Sequence, residues 1–136
     1  ETMKADPTSC AMGPKAVGTL DAPHLCTTAS GSSSNSSSFS SATIYFPQTD
    51  GTSPSSSLLL LPTIVLIGGW GCGEHVLAAW GPFLASHGIV AMTIGTPRSW
   101  EEDPSARARY VSQASLALQT EHTRPASPLY RRLDTD

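Results

Sequence analysis

Charge is scarce in this 136-residue chain. Lys, Arg, Asp and Glu make up 14% of it, the net charge is −3, and no long run of one sign occurs. A surface that binds a phosphate backbone needs clustered Lys and Arg. Here there are eight basic residues, and those near the end (Arg107, Arg109, Arg124, Arg131, Arg132) are spaced out, which argues against nucleic acid as a partner. Long apolar runs are also missing. Nothing reaches the roughly 18 to 20 apolar residues needed to span a bilayer, so no transmembrane segment is expected. No C-x-x-C occurs, and His24, His75, His87 and His122 show no metal spacing with Cys or carboxylates, so neither a metal nor a cofactor is expected. Cysteine is sparse and odd in number, with Cys10, Cys26 and Cys72. Cys10 and Cys26 lie in one N-terminal arm, and a disulfide between them would stabilise on the order of 3 kcal/mol; three free thiols is the alternative. No G-x-S-x-G occurs anywhere.

What the chain has is one strongly patterned stretch, Leu58 to Thr96. The apolar run Leu58 to Ile67 carries no charge and has β-branched Thr63, Ile64, Val65 and Ile67, the pattern of a strand buried on both faces. It breaks at Gly68-Gly69-Trp70-Gly71-Cys72-Gly73, a turn rich in residues that tolerate φ > 0. Trp80, Phe83 and Leu84 then follow at helical spacing, and Gly88 is placed to stop the helix. Ile89 to Ile94 is a second buried strand. The unit reads as βαβ, with its two strands parallel.

Around this unit the chain is dilute in apolar residues, because Ser, Thr, Gly and Pro bring hydrophobic content down to 39%. Residues 1–29 read as an irregular arm with one short strand near Ala16 to Leu20. Gly31 to Ser41 is almost all serine, with Phe39 its one anchor. Ala42 to Phe46 is a strand ended by Pro47. After the βαβ unit, Asp103 is placed as an N-cap with Pro104 at the first helical position. A helix follows from about Ser105 to Glu121, with Ala106, Tyr110, Ala114 and Leu118 on one face, flanked by Val111 and Ala117. Only two parallel strands are supplied, too few for a sheet covered on both faces. The chain is therefore expected to need further strands, from a continuation or a separate chain.

Several segments together resemble the N-terminal half of the α/β-hydrolases of the polyester hydrolase family, which includes cutinases and PET hydrolases. They are Ala42-Thr43-Ile44-Tyr45-Phe46-Pro47, the turn Gly69-Trp70, the run from Trp80 to Val90, Thr93-Ile94, and Ala126 to Thr135. The most specific is Trp80-Gly81-Pro82-Phe83-Leu84-Ala85-Ser86-His87-Gly88, because no general helix rule demands it. The resemblance implies an α/β fold with a mostly parallel, doubly wound sheet. Residues 42–136 would be the N-terminal portion of the hydrolase domain, and residues 1–41 an arm and linker. It also implies ester hydrolysis by a Ser-His-Asp triad, all of it outside these residues, and a carboxylic-ester substrate. Trp70 matches by position the aromatic residue whose backbone N–H is an oxyanion donor, with Gly71 and Cys72 beside it on the substrate side. A fixed N–H at a turn can meet the charge of a tetrahedral intermediate without reorganising. The chain departs from the family at Gly95, where an Asp is usual, and at Gly71-Cys72-Gly73, which replaces a more polar turn.

Two rival functions stay open at this point. One is a chlorophyllase-like or lipid-ester hydrolase, and the other is an inactive hydrolase-like docking subunit. A start at Glu1 and not Met fits removal of a targeting peptide and export, and Asn35-Ser36-Ser37 fits a glycosylation acceptor. Ser86 and His87 are neighbours on a helix and point about 100° apart, so they do not pair for catalysis; His87 is expected to serve the last helical carbonyls. Glu74 is read as a carboxylate at a helix start. Glu101, Glu102 and Asp103 are read as a solvated loop and cap.

Overall fold

The computed structural model describes residues 11–28, 39–49, 59–100 and 103–136. The elements run β1 (Val17–Asp21), α1 (Pro23–Thr28), β2 (Ser41–Pro47), β3 (Thr63–Ile67), a 3-10 turn at Glu74–Leu77, α2 (Trp80–Ser86), β4 (Val90–Gly95) and α3 (Pro104–Thr120). The strands form one sheet in the order β1-β2-β4-β3. β3 and β4 are parallel, with Val65 opposite Met92. β2 is antiparallel to both β4 and β1.

β4 is the central strand of the pattern. It has neighbours on both edges and helices over both faces, and all six of its residues are buried. β2 alternates: Ala42, Ile44 and Phe46 point into the main core with Leu25 of α1 and with Tyr110, Ala114, Ala117 and Leu118 of α3. Phe39, the one apolar residue of the serine stretch, is buried at 1% exposure beside them. α2 covers the opposite face, where Gly81 sits against the Tyr45 ring. A Cβ at Gly81 would fall on that ring. Gly81→Ala therefore sets an overpacking cost of about 1 to 3 kcal/mol against a helix-propensity gain of about 1 kcal/mol. A net loss of about 1 kcal/mol is expected in urea denaturation, and the loss should vanish in a Tyr45→Leu background.

The capping expectations hold. Asp103 accepts the Ala106 N–H at 2.7 Å, with Pro104 in the first turn. That bond and one from the Ser105 hydroxyl hold its carboxyl below the usual range. Gly88 follows α2 at φ 94°. Three expectations need correction. The run from Leu58 is not a strand throughout, because β3 begins at Thr63, and Leu59 and Leu60 are exposed. β3 is also not buried on both faces: none of its residues is fully buried. It carries apolar side chains because it is parallel to β4, but only one of its edges is paired along its length among the described residues. Finally, among the described residues the sheet is mixed and not mostly parallel, since two of its three pairings there are antiparallel.

Past α3 the chain returns to β3. Leu61 and Leu133 form a parallel bridge: the Leu61 N–H donates to the Arg132 carbonyl at 2.7 Å, and the Asp134 N–H donates to the Leu61 carbonyl at 2.9 Å. The neighbouring Pro62 carbonyl accepts from Val90 of β4. Successive residues of an extended chain bond to opposite edges, so Leu133 lies on the edge of β3 turned away from β4.

The far end of α3 is tied down by Glu121, which is fully buried. It accepts from His24 Nε2 at 2.7 Å, from Arg124 Nη2 at 2.7 Å and from the Ser127 hydroxyl. Burial pushes this carboxyl up, but the hydrogen bonds from Arg124, Ser127 and His24, with the Arg124 charge, outweigh burial and hold it below its ordinary value.

No described helix is long and apolar enough to cross a membrane. Cys26 carries a thiol and no disulfide, so the Cys10–Cys26 pairing expected from the sequence is not formed; Cys10 itself, Asn35, Glu101 and Glu102 lie outside the described residues.

Candidate functional site

β3 and β4 run in the same direction, so their carboxyl ends open onto the same rim of the sheet. Ligands of open α/β sheets bind at such rims. The turn after β3 and the loop after β4 meet there, since the Gly71 N–H donates to the Ser99 carbonyl at 2.7 Å.

The turn has a definite form. The Cys72 N–H donates to the Gly69 carbonyl at 3.0 Å, closing a four-residue turn over Gly69-Trp70-Gly71-Cys72. Gly71 has φ 73°, and Trp70 is not left-handed. Positive φ at the third position alone is the mark of a type II turn, which needs glycine there. The sequence G-W-G-C meets that need with Gly71. Substitution at Gly71 is blocked a second way, because a Cβ would come within 2.6 Å of the Trp100 ring.

A type II turn uses the carbonyl of its first residue and the N–H of its fourth, and leaves the second residue's N–H outside the turn. That residue is Trp70, and its N–H has no acceptor among the described residues. The Trp70 side chain is 65% exposed. It meets Trp100 edge to face at 5.1 Å between centroids and 80° between planes. Trp100 is exposed to the same degree, so two large aromatic faces stand in solvent on the rim. Cys72 is half-buried, its thiol is free, and its Cβ packs against Gly68.

Two polar residues brace this turn, and neither role is legible from local pattern. Arg107, in the first turns of α3, donates Nη2 to the carbonyls of Gly68 and Gly69, both at 2.5 Å. Glu74 opens the 3-10 turn as expected of a helix-start carboxylate. It also accepts from Thr93 Oγ1 at 2.8 Å and from the Ser41 hydroxyl, linking the segment after the turn to β4 and β2. Together with Asp21, Glu74 adds to the effect of burial in pushing the Cys26 thiol up. The departure at Gly95 has a steric side here, because a Cβ at that position would meet the Ser41 hydroxyl that Glu74 holds.

Ser86 and His87 do not pair. The Ser86 hydroxyl donates to the Phe83 carbonyl at 2.6 Å and accepts the Gly13 N–H at 2.8 Å. The His87 ring meets the Phe83 ring edge to face at 4.9 Å between centroids and contacts the Ala11 carbonyl at 3.2 Å. It therefore tethers the N-terminal arm, and does not serve the helical carbonyls as expected from its position.

A family model described as "PETase: PET hydrolase-like" matches residues 4–136. The match starts well before the 42–136 stretch that carries the resemblance described above. No curated protein matches the sequence.

Proposed function

The chain belongs to the PET hydrolase-like family, and on that premise we propose that it forms part of a serine carboxylic-ester hydrolase. In this reading Trp70 donates its backbone N–H to the oxyanion. Trp70, Gly71 and Cys72 border the acyl group of the ester, and Ser, His and Asp come from outside these 136 residues. The observation that carries the reading is the Trp70 N–H, which has no acceptor among the described residues and lies on an exposed turn at the carboxyl end of a parallel strand. An oxyanion donor has to be fixed before the reaction and empty until charge develops. The Trp70 and Trp100 faces favour an ester with an apolar or aromatic acyl part, because an aromatic face binds flat apolar groups at little conformational cost.

The missing triad fits the open edge of β3. Ile64 there is 39% exposed, and the Leu61–Leu133 bridge already starts a parallel neighbour on that edge. A strand continuing from Leu133, in the same polypeptide or supplied with a separate chain, would cover Ile64 and deliver a nucleophile to the rim beside Trp70. Export from the cell belongs to the same proposal.

The 136-residue chain alone is expected to show no turnover of p-nitrophenyl butyrate. Addition of its C-terminal complement should produce turnover together with a cooperative melt. Sustained hydrolysis by the chain alone would overturn the placement of the triad, and an inactive but well-folded complex would overturn the ester-hydrolase reading.

A further inference from the structure

We propose that Arg107 is the positioning residue of the oxyanion turn, aiming the Trp70 N–H by gripping the carbonyl of the same peptide group. The inference rests on the oxyanion role given to Trp70 above. Its ground is a contact from α3 to a backbone 38 and 39 residues earlier, where the Arg107 Nη2 meets both the Gly68 and Gly69 carbonyls at 2.5 Å.

The geometry follows from peptide planarity. The Gly69 carbonyl and the Trp70 N–H belong to one peptide, and in a trans peptide they point in opposite directions; no cis bond occurs among the described residues. Fixing the oxygen toward Arg107 therefore fixes the N–H away from it. Little else would fix this plane. Gly69 has no side chain, and a Cβ there would touch nothing within 4 Å, so sterics leave its dihedrals free. The Cys72 N–H is the other donor to that oxygen. It comes from within the turn and moves with it, whereas Arg107 comes from a 17-residue helix anchored in the core. The cation also polarises the peptide it holds, which strengthens the N–H at the other end as a donor.

Arg107 touches no reacting atom in this arrangement, so its loss should act on the transition state and not on ground-state binding. In the complemented hydrolase, Arg107→Met should lower kcat by about tenfold to a hundredfold, with KM within about twofold. Arg107→Lys should fall between, because an ammonium keeps the charge without the planar fork. A readout independent of activity separates this proposal from the hydrolase reading. Selective 15N labelling of the three tryptophans reports the backbone amides of Trp70, Trp80 and Trp100. In Arg107→Met the Trp70 amide should lose its heteronuclear NOE and shift, while that of Trp80 stays put. The measurement uses the chain with its complement bound. An unchanged Trp70 amide in Arg107→Met overturns the positioning role. A loosened Trp70 amide in a complex that never hydrolyses an ester upholds positioning and overturns the hydrolase reading. Should Arg107→Met fail to fold, the wild-type guanidinium decides: hindered rotation about Nε–Cζ is expected, and free rotation overturns the proposal.

Discussion

Replacing the Gly69–Trp70 peptide by an ester, through semisynthesis with the α-hydroxy analogue of Trp70, is expected to lower kcat of the complemented hydrolase by about a hundredfold to a thousandfold and to leave KM nearly unchanged. The substitution exchanges the N–H for an oxygen and keeps the indole; it removes the donor, and it also weakens the Gly69 carbonyl as an acceptor for Arg107 and Cys72. Trp70→Ala does the reverse. It keeps the donor and removes a ring that is 65% exposed and stacked edge-on with Trp100. It should raise KM for aromatic esters several-fold and change kcat for an acetyl ester little. Loss of one oxyanion donor carries this size of effect because the site presents it already oriented, while water would have to reorganise around the developing charge. The two lesions should also be coupled to Arg107. If that guanidinium acts by aiming the Trp70 N–H, Arg107→Met adds little once the N–H is gone, and the two effects fall well short of multiplying. Steady-state kinetics on the four proteins of that cycle test the point. Equal kcat for peptide and ester forms would remove Trp70 from the reaction.

Much of the architecture was legible in the sequence because local rules and tertiary context agree there. Val90 to Ile94 is uncharged and apolar but for Thr93, and it is a strand with neighbours on both edges. Asp103-Pro104 caps α3, Gly88 stops α2, and the face Tyr110, Ala114, Ala117, Leu118 packs on the sheet. Composition misled at β3. A continuous apolar run looks alike whether its second edge is paired or open, so it gave no warning that β3 would stay half-buried. Strand direction was legible only across the helix crossover from β3 to β4. The serine-rich and Ser/Gly/Pro connections flanking β2 set no direction, and β2 proved antiparallel.

At the candidate site the division is similar. A glycine at the third turn position is a local signal, so the form of the Gly69–Cys72 turn follows from adjacent residues, and the family resemblance pointed to Trp70 within it. What braces the turn comes from far along the chain. Arg107 lies on the helix at a position any solvated arginine could occupy, and its partners are backbone carbonyls, which have no sequence signature. Trp100 and Ser99 sit in a loop whose course no periodicity sets. Long-range polar contacts are thus the part of this site that only the fold exposes.

The same holds for Glu121, whose removal should have the largest effect on stability. It caps the carboxyl end of α3, where the helix dipole disfavours negative charge, and it is fully buried. Its place there is tenable because His24, 97 residues away, joins Arg124 and Ser127 as donors. Glu121→Ala leaves the buried Ser127 hydroxyl without that acceptor and removes the His24 link between α1 and the end of α3. Hydrogen bonds to a charged group contribute about 1.5 to 3 kcal/mol each, but the His24 and Arg124 side chains are 40% and 37% exposed, and water regains part of what they lose. A loss of about 3 kcal/mol at pH 7 is therefore expected in urea denaturation, against less than half of that for Glu121→Gln, which keeps the shape and an acceptor. The sign of the pH dependence follows from the direction of the shift. The folded carboxyl titrates below its ordinary value of 4.5, so the folded state stays ionised where the unfolded chain has begun to bind a proton. The Glu121 contribution is complete above the unfolded value and is lost as pH falls from there through the folded one. Wild-type stability should decline over that window more steeply than that of Glu121→Gln, and parallel pH profiles for the two proteins would show that the ionised carboxylate is not what holds α1 to α3.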